Sequence, residues 1–127
     1  MSRAVVVFHP AVEDDIAAIQ AHYEQMDPVL PDRFENGDRT NDKGGFTGDR
    51  LAHGFDPEHK GFFHGGDLKG LTARLDYLEQ LGVTAIWFAP IFQNKPVQGD
   101  PGSESAGYHG YWVTDFTRPD SHFGTRA

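Results

Sequence analysis

Oxygen-bearing side chains are concentrated in the run NGDRTND at residues 36–42. The candidate cation ligands in this run are Asn36, Asp38, Asn41 and Asp42. A hard cation such as Ca²⁺ prefers about six to eight oxygen ligands from carboxylates, amides and backbone carbonyls. The spacing does not fit an EF-hand, because the sixth position from Asn36 is Asn41 instead of glycine and the twelfth is Thr47 instead of glutamate. On spacing alone, a solvated Asn/Asp/Gly turn is favoured over a calcium site.

The run GYHGYW at residues 107–112 gathers aromatic rings with polar edges on one short segment. These rings belong to Tyr108, His109, Tyr111 and Trp112. They suit a sugar, because a ring face covers the apolar C–H side while hydroxyl, imidazole and indole groups hydrogen-bond the sugar hydroxyls. The two glycines allow a sharp turn and the close approach of a ligand. A small hydrophobic cluster beneath a long loop is an equally open interpretation of the same residues.

Carboxylates suited to glycoside cleavage are harder to find. That reaction needs two carboxyl groups flanking the bond, one as the acid and one as the nucleophile or base. No Asp or Glu is recognisable in the apolar strand-end setting that would tune its pKa. Asp115 and Asp120 lie nearest to the aromatic run, and we expect structural hydrogen-bonding roles for both. The sequence also shows no metalloprotease-type histidine pair, phosphate-binding glycine loop or Ser/His/Asp set.

The elements that position these residues are clearest in the second half of the chain. In DLKGLTARLDYLEQLGV the leucines recur at helical spacing, and Gly82 predicts the end of the helix. These leucines are Leu68, Leu71, Leu75, Leu78 and Leu81. Residues 83–92 form an apolar run typical of a strand covered on both faces, and a polar loop is predicted at 93–107. Helix, glycine and buried strand are half of a βαβ unit, so we expect an α/β fold with parallel strands and a ligand-binding loop after the strand.

The first half of the chain gives weaker signals. A short strand at residues 4–8 and a helix from Pro10 onward are predicted, the helix from the spacing of its apolar residues. Pro28 and Pro31 argue against a strand in MDPVLPDRF, because each removes a backbone donor. Residues 35–66 are rich in Gly, Asp and Asn, and ordering so long a loop would need help from a ligand or a neighbouring scaffold.

Composition limits the classes of partner. The 127 residues carry a formal charge of −8. This charge argues against a nucleic-acid partner and suits a cation or a neutral substrate. There is no cysteine, so disulfides and zinc-thiolate sites are excluded. No apolar run reaches the roughly 18–20 residues of a membrane span, and no signal peptide is recognisable in this chain. Localisation is left open by these observations.

Three segments together resemble the α-amylase family of glycoside hydrolases, which have a (β/α)₈ barrel fold. VLPDRFENGD resembles the end of the first barrel strand and its loop, and HGGDLKGLTARLDYLEQLGVTAIWFAPIF the first helix and second strand. GYHGYWVTDFTRPDSHFGT resembles the long loop that follows. The resemblance implies that residues 29–127 are an N-terminal part of the catalytic barrel, whereas residues 1–28 are not matched to the family.

The resemblance also implies roles for individual residues. Positions matching a calcium site are Asn36, Asp38, Asn41, Asp42, Gly65 through its carbonyl, and Asp67. Positions matching the sugar subsite next to the scissile bond are His109, which hydrogen-bonds hydroxyls, Tyr111, which stacks on the sugar, and Trp112, which supports them. With the resemblance added, Ca²⁺ becomes the favoured interpretation of the 36–42 run.

The expected function is retaining hydrolysis of α-glucans such as starch, pullulan or maltooligosaccharides. No position of this chain matches the family's catalytic Asp, Glu and Asp, so we expect the chain alone to be inactive and to need the remainder of the barrel. The alternatives are a non-catalytic glucan- or calcium-binding fragment, a truncated inactive gene product, or a subunit that completes a split barrel. Linkage preference and the choice between hydrolysis and transfer are not predicted.

Overall fold

A computed structural model describes residues 26–126 of the chain. The strand predicted at residues 4–8 and the helix predicted from Pro10 lie outside these described residues. The first described element, β1 (Met26–Val29), pairs in parallel with β2 (Ala85–Phe88), in the register Met26 to Ala85 and Val29 to Phe88. The expected α/β class with parallel strands is therefore confirmed in this pair.

The prediction against a strand at MDPVLPDRF was wrong, because β1 includes Pro28. Proline lacks only the N–H, and a strand position whose N–H is not needed for pairing tolerates it. Pro31 opens the short helix α1 (Pro31–Phe34), where its missing donor is one of the unpaired N–H groups of a first helical turn. A 3₁₀ turn (Arg39–Asn41) and helix α2 (Arg50–His53) follow in the long loop.

The predicted leucine-rich helix is interrupted. It forms as α3 (Leu68–Ala73) and α4 (Leu75–Gln80), because Arg74 has φ −108° and ψ 11° and donates its N–H to Leu71 O at 3.2 Å. Leu71, Leu75 and Leu78 pack in one core as predicted. Leu68 packs in a different cluster, and Leu81 is 61% exposed, so the single five-leucine face was wrong at its two ends.

The end of α4 is as predicted. Gly82 has φ +86°, which favours glycine, and its N–H donates to Glu79 O at 2.9 Å while Val83 N donates to Leu78 O at 3.1 Å. These two bonds satisfy the last carbonyls of the helix in a Schellman arrangement.

The strand predicted over residues 83–92 is much shorter than its apolar run. Only Ala85–Phe88 forms β2, with Ile86 and Phe88 buried and the alternate residues partly exposed, so burial on both faces was wrong for the described residues. After Pro90 the chain turns into β3 (Phe92–Asn94), which pairs antiparallel with β6 (Val113–Pro119). The predicted polar loop at 93–107 also contains the antiparallel pair β4 (Val97–Gln98) and β5 (Ser105–Ala106).

Two hydrophobic clusters support these elements. The first places Val29, Ile86 and Phe88 of the parallel strands against Leu71 and Leu78 of the helices. The second contains Phe62, Phe63, Ala106 and Phe123 and lies beneath the long loop and the β4–β5 pair. Ile91 packs against both clusters, so it joins the strand region to the loop region. No helix among residues 26–126 has the length and apolar character needed to cross a membrane.

Candidate functional site

The Asp67 carboxylate organises the loop that contains the 36–42 run. Oδ1 accepts hydrogen bonds from Gly37 N at 3.0 Å and Gly70 N at 2.7 Å. Oδ2 accepts from Asp38 N at 2.9 Å and Asn41 Nδ2 at 3.0 Å. Asp67 is fully buried and also caps the start of α3, so one carboxylate fixes both the loop and the helix. The glycine-rich segment is thus held partly by a neighbouring side chain.

Two amide oxygens in this loop lack hydrogen-bond partners. Asn36 Oδ1 and Asn41 Oδ1 are buried acceptors without a donor, although the Nδ2 atom of Asn36 donates to Asp42 Oδ1 at 2.7 Å. Gly65 lies against Asn36 and Asp42, because a Cβ there would be 2.5 Å from Asn36 Nδ2 and 2.8 Å from Asp42 Oδ1. Buried acceptors without partners are rare and costly, so their presence is consistent with a cation that would use them.

The charges around these oxygens differ from one aspartate to the next. The Thr40 hydroxyl and N–H hold the pKa of Asp38 below its usual value, and Lys69 Nζ lies 3.5 Å from its Oδ2. Burial raises the pKa of Asp42, and the Asp67 and Asp38 charges act in the same direction. A bound cation would oppose that effect by favouring the ionised form.

Direct contacts place the predicted metal positions in two groups. Asn36, Asp42 and Gly65 lie together in one group, and Asn41 contacts Asp67 in the other. The Asp38 carboxylate instead contacts Thr40 and Lys69, although its N–H is bound to Asp67. Within residues 26–126 no three His, Asp or Glu side chains cluster closely enough to hold a metal by themselves. A cation here would therefore depend on the amide and backbone oxygens as well.

Asp32 is a buried carboxylate that no sequence pattern singled out. It follows β1 closely, is 2% exposed, and accepts hydrogen bonds from His64 N at 2.9 Å and Gly65 N at 3.2 Å. Burial raises its pKa, against the lowering effect of these bonds and of Arg33. The expectation that no acidic residue lies in a pKa-shifting strand-end setting was therefore wrong. Its bonds hold the 64–65 turn beside the candidate cation loop.

The aromatic run forms a partly open surface. Tyr111 is 66% exposed, and its ring lies nearly parallel to that of His109, with centroids 5.8 Å apart and an interplanar angle of 21°. Tyr111 N donates to His109 Nδ1 at 3.0 Å, so in the neutral ring the proton is on Nε2. Burial lowers the pKa of His109, which favours this neutral form. The site therefore offers an exposed ring beside an N–H donor.

The other two rings of the run, Trp112 and Tyr108, each contact the His109 ring. The Trp112 ring meets the His109 ring edge-on, with centroids 4.6 Å apart. Tyr108 contacts His109 at 5.3 Å and lies under the Arg33 guanidinium, whose Cζ is 4.2 Å from the ring centre. Three predicted sugar-site residues, His109, Tyr111 and Trp112, are thus brought together. The part played by Arg33 was not predicted, because it lies far away in sequence and arginine alone gives no signal.

The two carboxylates after the aromatic run have structural bonds, as predicted. Asp115 Oδ1 accepts from Thr117 N at 2.8 Å and its Oδ2 lies 3.2 Å from Arg118 Nε. Asp120 is fully buried and its Oδ2 accepts from Asn94 N at 2.8 Å.

Comparisons with known proteins identify the family of this chain. The family model described as alpha amylase, catalytic domain, matches residues 28–127. An alpha-amylase of Streptomyces lividans is 66% identical over 79 residues, which are 62% of this chain and 9% of that protein. The periplasmic alpha-amylase of Escherichia coli K12 is 39% identical over 133 residues, covering 99% of this chain and 18% of that protein. The chain therefore spans less than a fifth of the length of either relative.

A solved structure supports the same relationship. The crystal structure of CldA, a cyclomaltodextrin glucanotransferase, superposes with a TM-score of 0.66 at 44% identity, covering 79% of this chain and 20% of that one. Because the family model extends over more than half of the sequence, the chain belongs to the alpha-amylase family.

Proposed function

We propose that this chain provides the sugar-binding part of a glycoside hydrolase that acts on α-glucans. The observation that carries the proposal is the pairing of the 66%-exposed Tyr111 ring with the His109 ring. His109 Nδ1 accepts from Tyr111 N, so the neutral ring carries its proton on Nε2. An exposed ring can cover the apolar face of a glucose unit while the imidazole N–H donates to one of its hydroxyls.

The arrangement of elements supports a partial (β/α)₈ barrel. The parallel strands β1 and β2 are separated in sequence by α3 and α4, and the aromatic run follows β2 along the chain. In barrels of this kind the sites lie at the carboxyl ends of the strands. We infer that the retaining mechanism is completed by carboxyl groups outside the matched positions of this chain, one acting as acid and base and one as nucleophile.

The sugar-binding proposal is tested by titrating maltoheptaose into the protein calorimetrically, with cellohexaose as the β-linked comparison. Tyr111→Ala is expected to weaken maltoheptaose binding at least about tenfold, which is about 1.4 kcal/mol. Tyr77→Ala is the matched control, because Tyr77 is 47% exposed and lies on α4 instead of the aromatic run. Equal affinity for the two sugars, or equal losses in the two variants, would contradict the proposal.

We also propose that the 36–42 loop binds Ca²⁺. The support is two buried acceptors without donors, Asn36 Oδ1 and Asn41 Oδ1, and the contact of the Asn36 side chain with the Asp42 carboxylate. Asp67 and the Gly65 carbonyl are the further proposed ligands, with Asp38 adding negative charge nearby. Bound there, the cation would join the loop to the start of α3 and supply structural stabilisation.

The calcium proposal is tested by comparing the Ca²⁺ affinity of two variants that lose the same charge. Asp42→Asn is expected to weaken binding at least about tenfold, because a charged ligand is lost. Asp100→Asn, at an exposed turn residue, is expected to leave the affinity unchanged. Calcium binding that is absent from the wild-type protein, or equally weakened in both variants, would refute the assignment.

A further inference from the structure

The Asn94 side chain is fixed in one orientation next to the aromatic run. It is 1% exposed, its Oδ1 accepts from Trp112 N at 2.7 Å, and its Nδ2 donates to Phe92 O at 2.7 Å. A backbone N–H can only donate and a carbonyl can only accept, so the amide cannot be flipped. Both polar groups of this side chain are therefore used, one of them directly on the backbone of a candidate sugar-site residue.

The backbone N–H and C=O of Trp112 are both hydrogen-bonded to residues at the end of β3. Its N–H donates to the Asn94 amide, and its carbonyl accepts from Lys95 N at 3.0 Å. The Trp112 ring in turn contacts the edge of His109. The position of His109 relative to the sheet thus depends on a side-chain hydrogen bond as well as on backbone pairing.

Asp120 holds Asn94 from the other side. Its Oδ2 accepts from Asn94 N at 2.8 Å and from Gln93 Nε2 at 3.2 Å, and its Oδ1 accepts from His122 N at 2.9 Å. Asp120 is fully buried, so bulk solvent cannot replace a lost bond to this carboxylate.

The remaining contact of Asp120 requires a proton that it shares with His122. Nε2 of this 2%-exposed histidine lies 2.6 Å from His53 O, which only accepts, so Nε2 carries a proton. Nδ1 lies 2.7 Å from Asp120 Oδ1, and that contact needs a second proton, whichever atom holds it. The ring is fixed face to face on Phe63, with centroids 3.9 Å apart.

We propose that Asn94 is a positioning residue for the aromatic run, held by a buried Asp120–His122 pair that shares a proton. The inference rests on the proposed sugar-binding function for its effect on affinity, while the geometry of the network stands on its own contacts. The network joins the end of α2, through His53 O, to Trp112 at the sugar site.

The sharpest test replaces Asn94 with a side chain that changes its donor pattern with pH. At about pH 8, Asn94→Asp presents a carboxylate oxygen to Phe92 O and is expected to bind maltoheptaose about tenfold more weakly than wild type. At about pH 5 the introduced carboxyl, buried as Asn94 is and facing Phe92 O, is protonated and can donate as the amide does, so the deficit should fall below about threefold. Asn94→Ala should stay weak at both pH values.

Each variant is compared with wild type at the same pH. This comparison removes the contributions of His109 and of the exposed Lys95 to the measured maltoheptaose affinity. Thr114→Val is the matched control, because it removes the hydrogen bond from Thr114 Oγ1 to Gln93 O in the same strand pair without touching Trp112. Leu78→Ala controls for a general loss of stability, since Leu78 is buried in the other cluster. A deficit that does not depend on pH, or one shared by these controls, overturns the proposal.

A second readout keeps the test independent of sugar binding. The backbone amide resonance of Trp112 is expected to shift in Asn94→Ala, and in Asn94→Asp at high pH, but not in Thr114→Val. If wild type binds no maltoheptaose and this pattern is still seen, the sugar-binding proposal fails and the positioning role stands. An unshifted Trp112 amide overturns the positioning role whatever the sugar result.

The shared proton is tested in the wild-type protein by nitrogen-15 spectroscopy of the His122 ring. If one proton is on Nε2 and another lies between Nδ1 and Asp120 Oδ1, we expect a strongly downfield proton signal coupled to Nδ1. A ring with a proton on one nitrogen only, and no downfield signal from the contact with Asp120, overturns this part of the proposal.

Discussion

Asp67 shows how much of the long loop depends on one side chain. Its two oxygens accept four N–H donors, three from residues 37–41 and one from the first turn of α3. Because each oxygen is already shared by two donors, a cation bound at Asp67 would have to share an oxygen with them. The carboxylate therefore has an organising role whether or not Ca²⁺ is bound, and the two roles can be separated experimentally.

Asp67→Asn is expected to destabilise the protein by about 2–4 kcal/mol, because one oxygen becomes an NH₂ group that faces two N–H donors. The free energy of unfolding is measured by urea denaturation with a chelator present, so that loss of Ca²⁺ does not contribute. Asp49→Asn is the control, since the Asp49 carboxylate accepts from a single donor, Leu51 N, at the exposed start of α2, and its replacement should cost less than about 1 kcal/mol. Equal costs in the two variants would show that the four bonds have no special weight.

The helices and strands were predictable where local pattern and packing agree. Leucine spacing located the helical region, and Gly82 marked its end, because a left-handed residue after a helix favours glycine. The break at Arg74 had no local signal, since arginine is a good helix former. The apolar run at 83–92 predicted one strand, yet Pro90 divides it and the second part pairs with a strand some twenty residues further on.

The site residues divide in the same way. His109, Tyr111 and Trp112 are adjacent in sequence, so their types alone suggested a sugar surface, and the family resemblance gave them roles. Asn94 gave no such signal, and Asp120, 26 positions further on, suggested only a structural hydrogen-bonding role. Their importance arises only when β3 and β6 pair and bury both side chains. Buried polar networks built from distant residues are invisible to any local pattern.

A largely apolar groove lies between α1 and α4. Its volume is about 400 Å³, and its lining includes Leu30, Phe34, Tyr77, Leu81 and Val83. Tyr77 and Leu81 are 47% and 61% exposed, so large apolar surface is open in residues 26–126. Exposed apolar patches of this kind mark surfaces that associate with other chains or with further parts of the same protein.

Leu81→Lys is expected to reduce self-association of the 127-residue chain about tenfold, because a charge placed at the groove opposes burial of its apolar wall. Since Leu81 is already 61% exposed, the folded monomer should lose less than about 0.5 kcal/mol of stability. Gln80→Lys adds the same charge at the neighbouring exposed position, outside the residues that line the groove, and should leave association unchanged. Sedimentation velocity over a range of concentrations measures the effect. A wild-type chain that stays monomeric at high concentration, or two variants that associate equally, would show that this groove is not the adhesive surface.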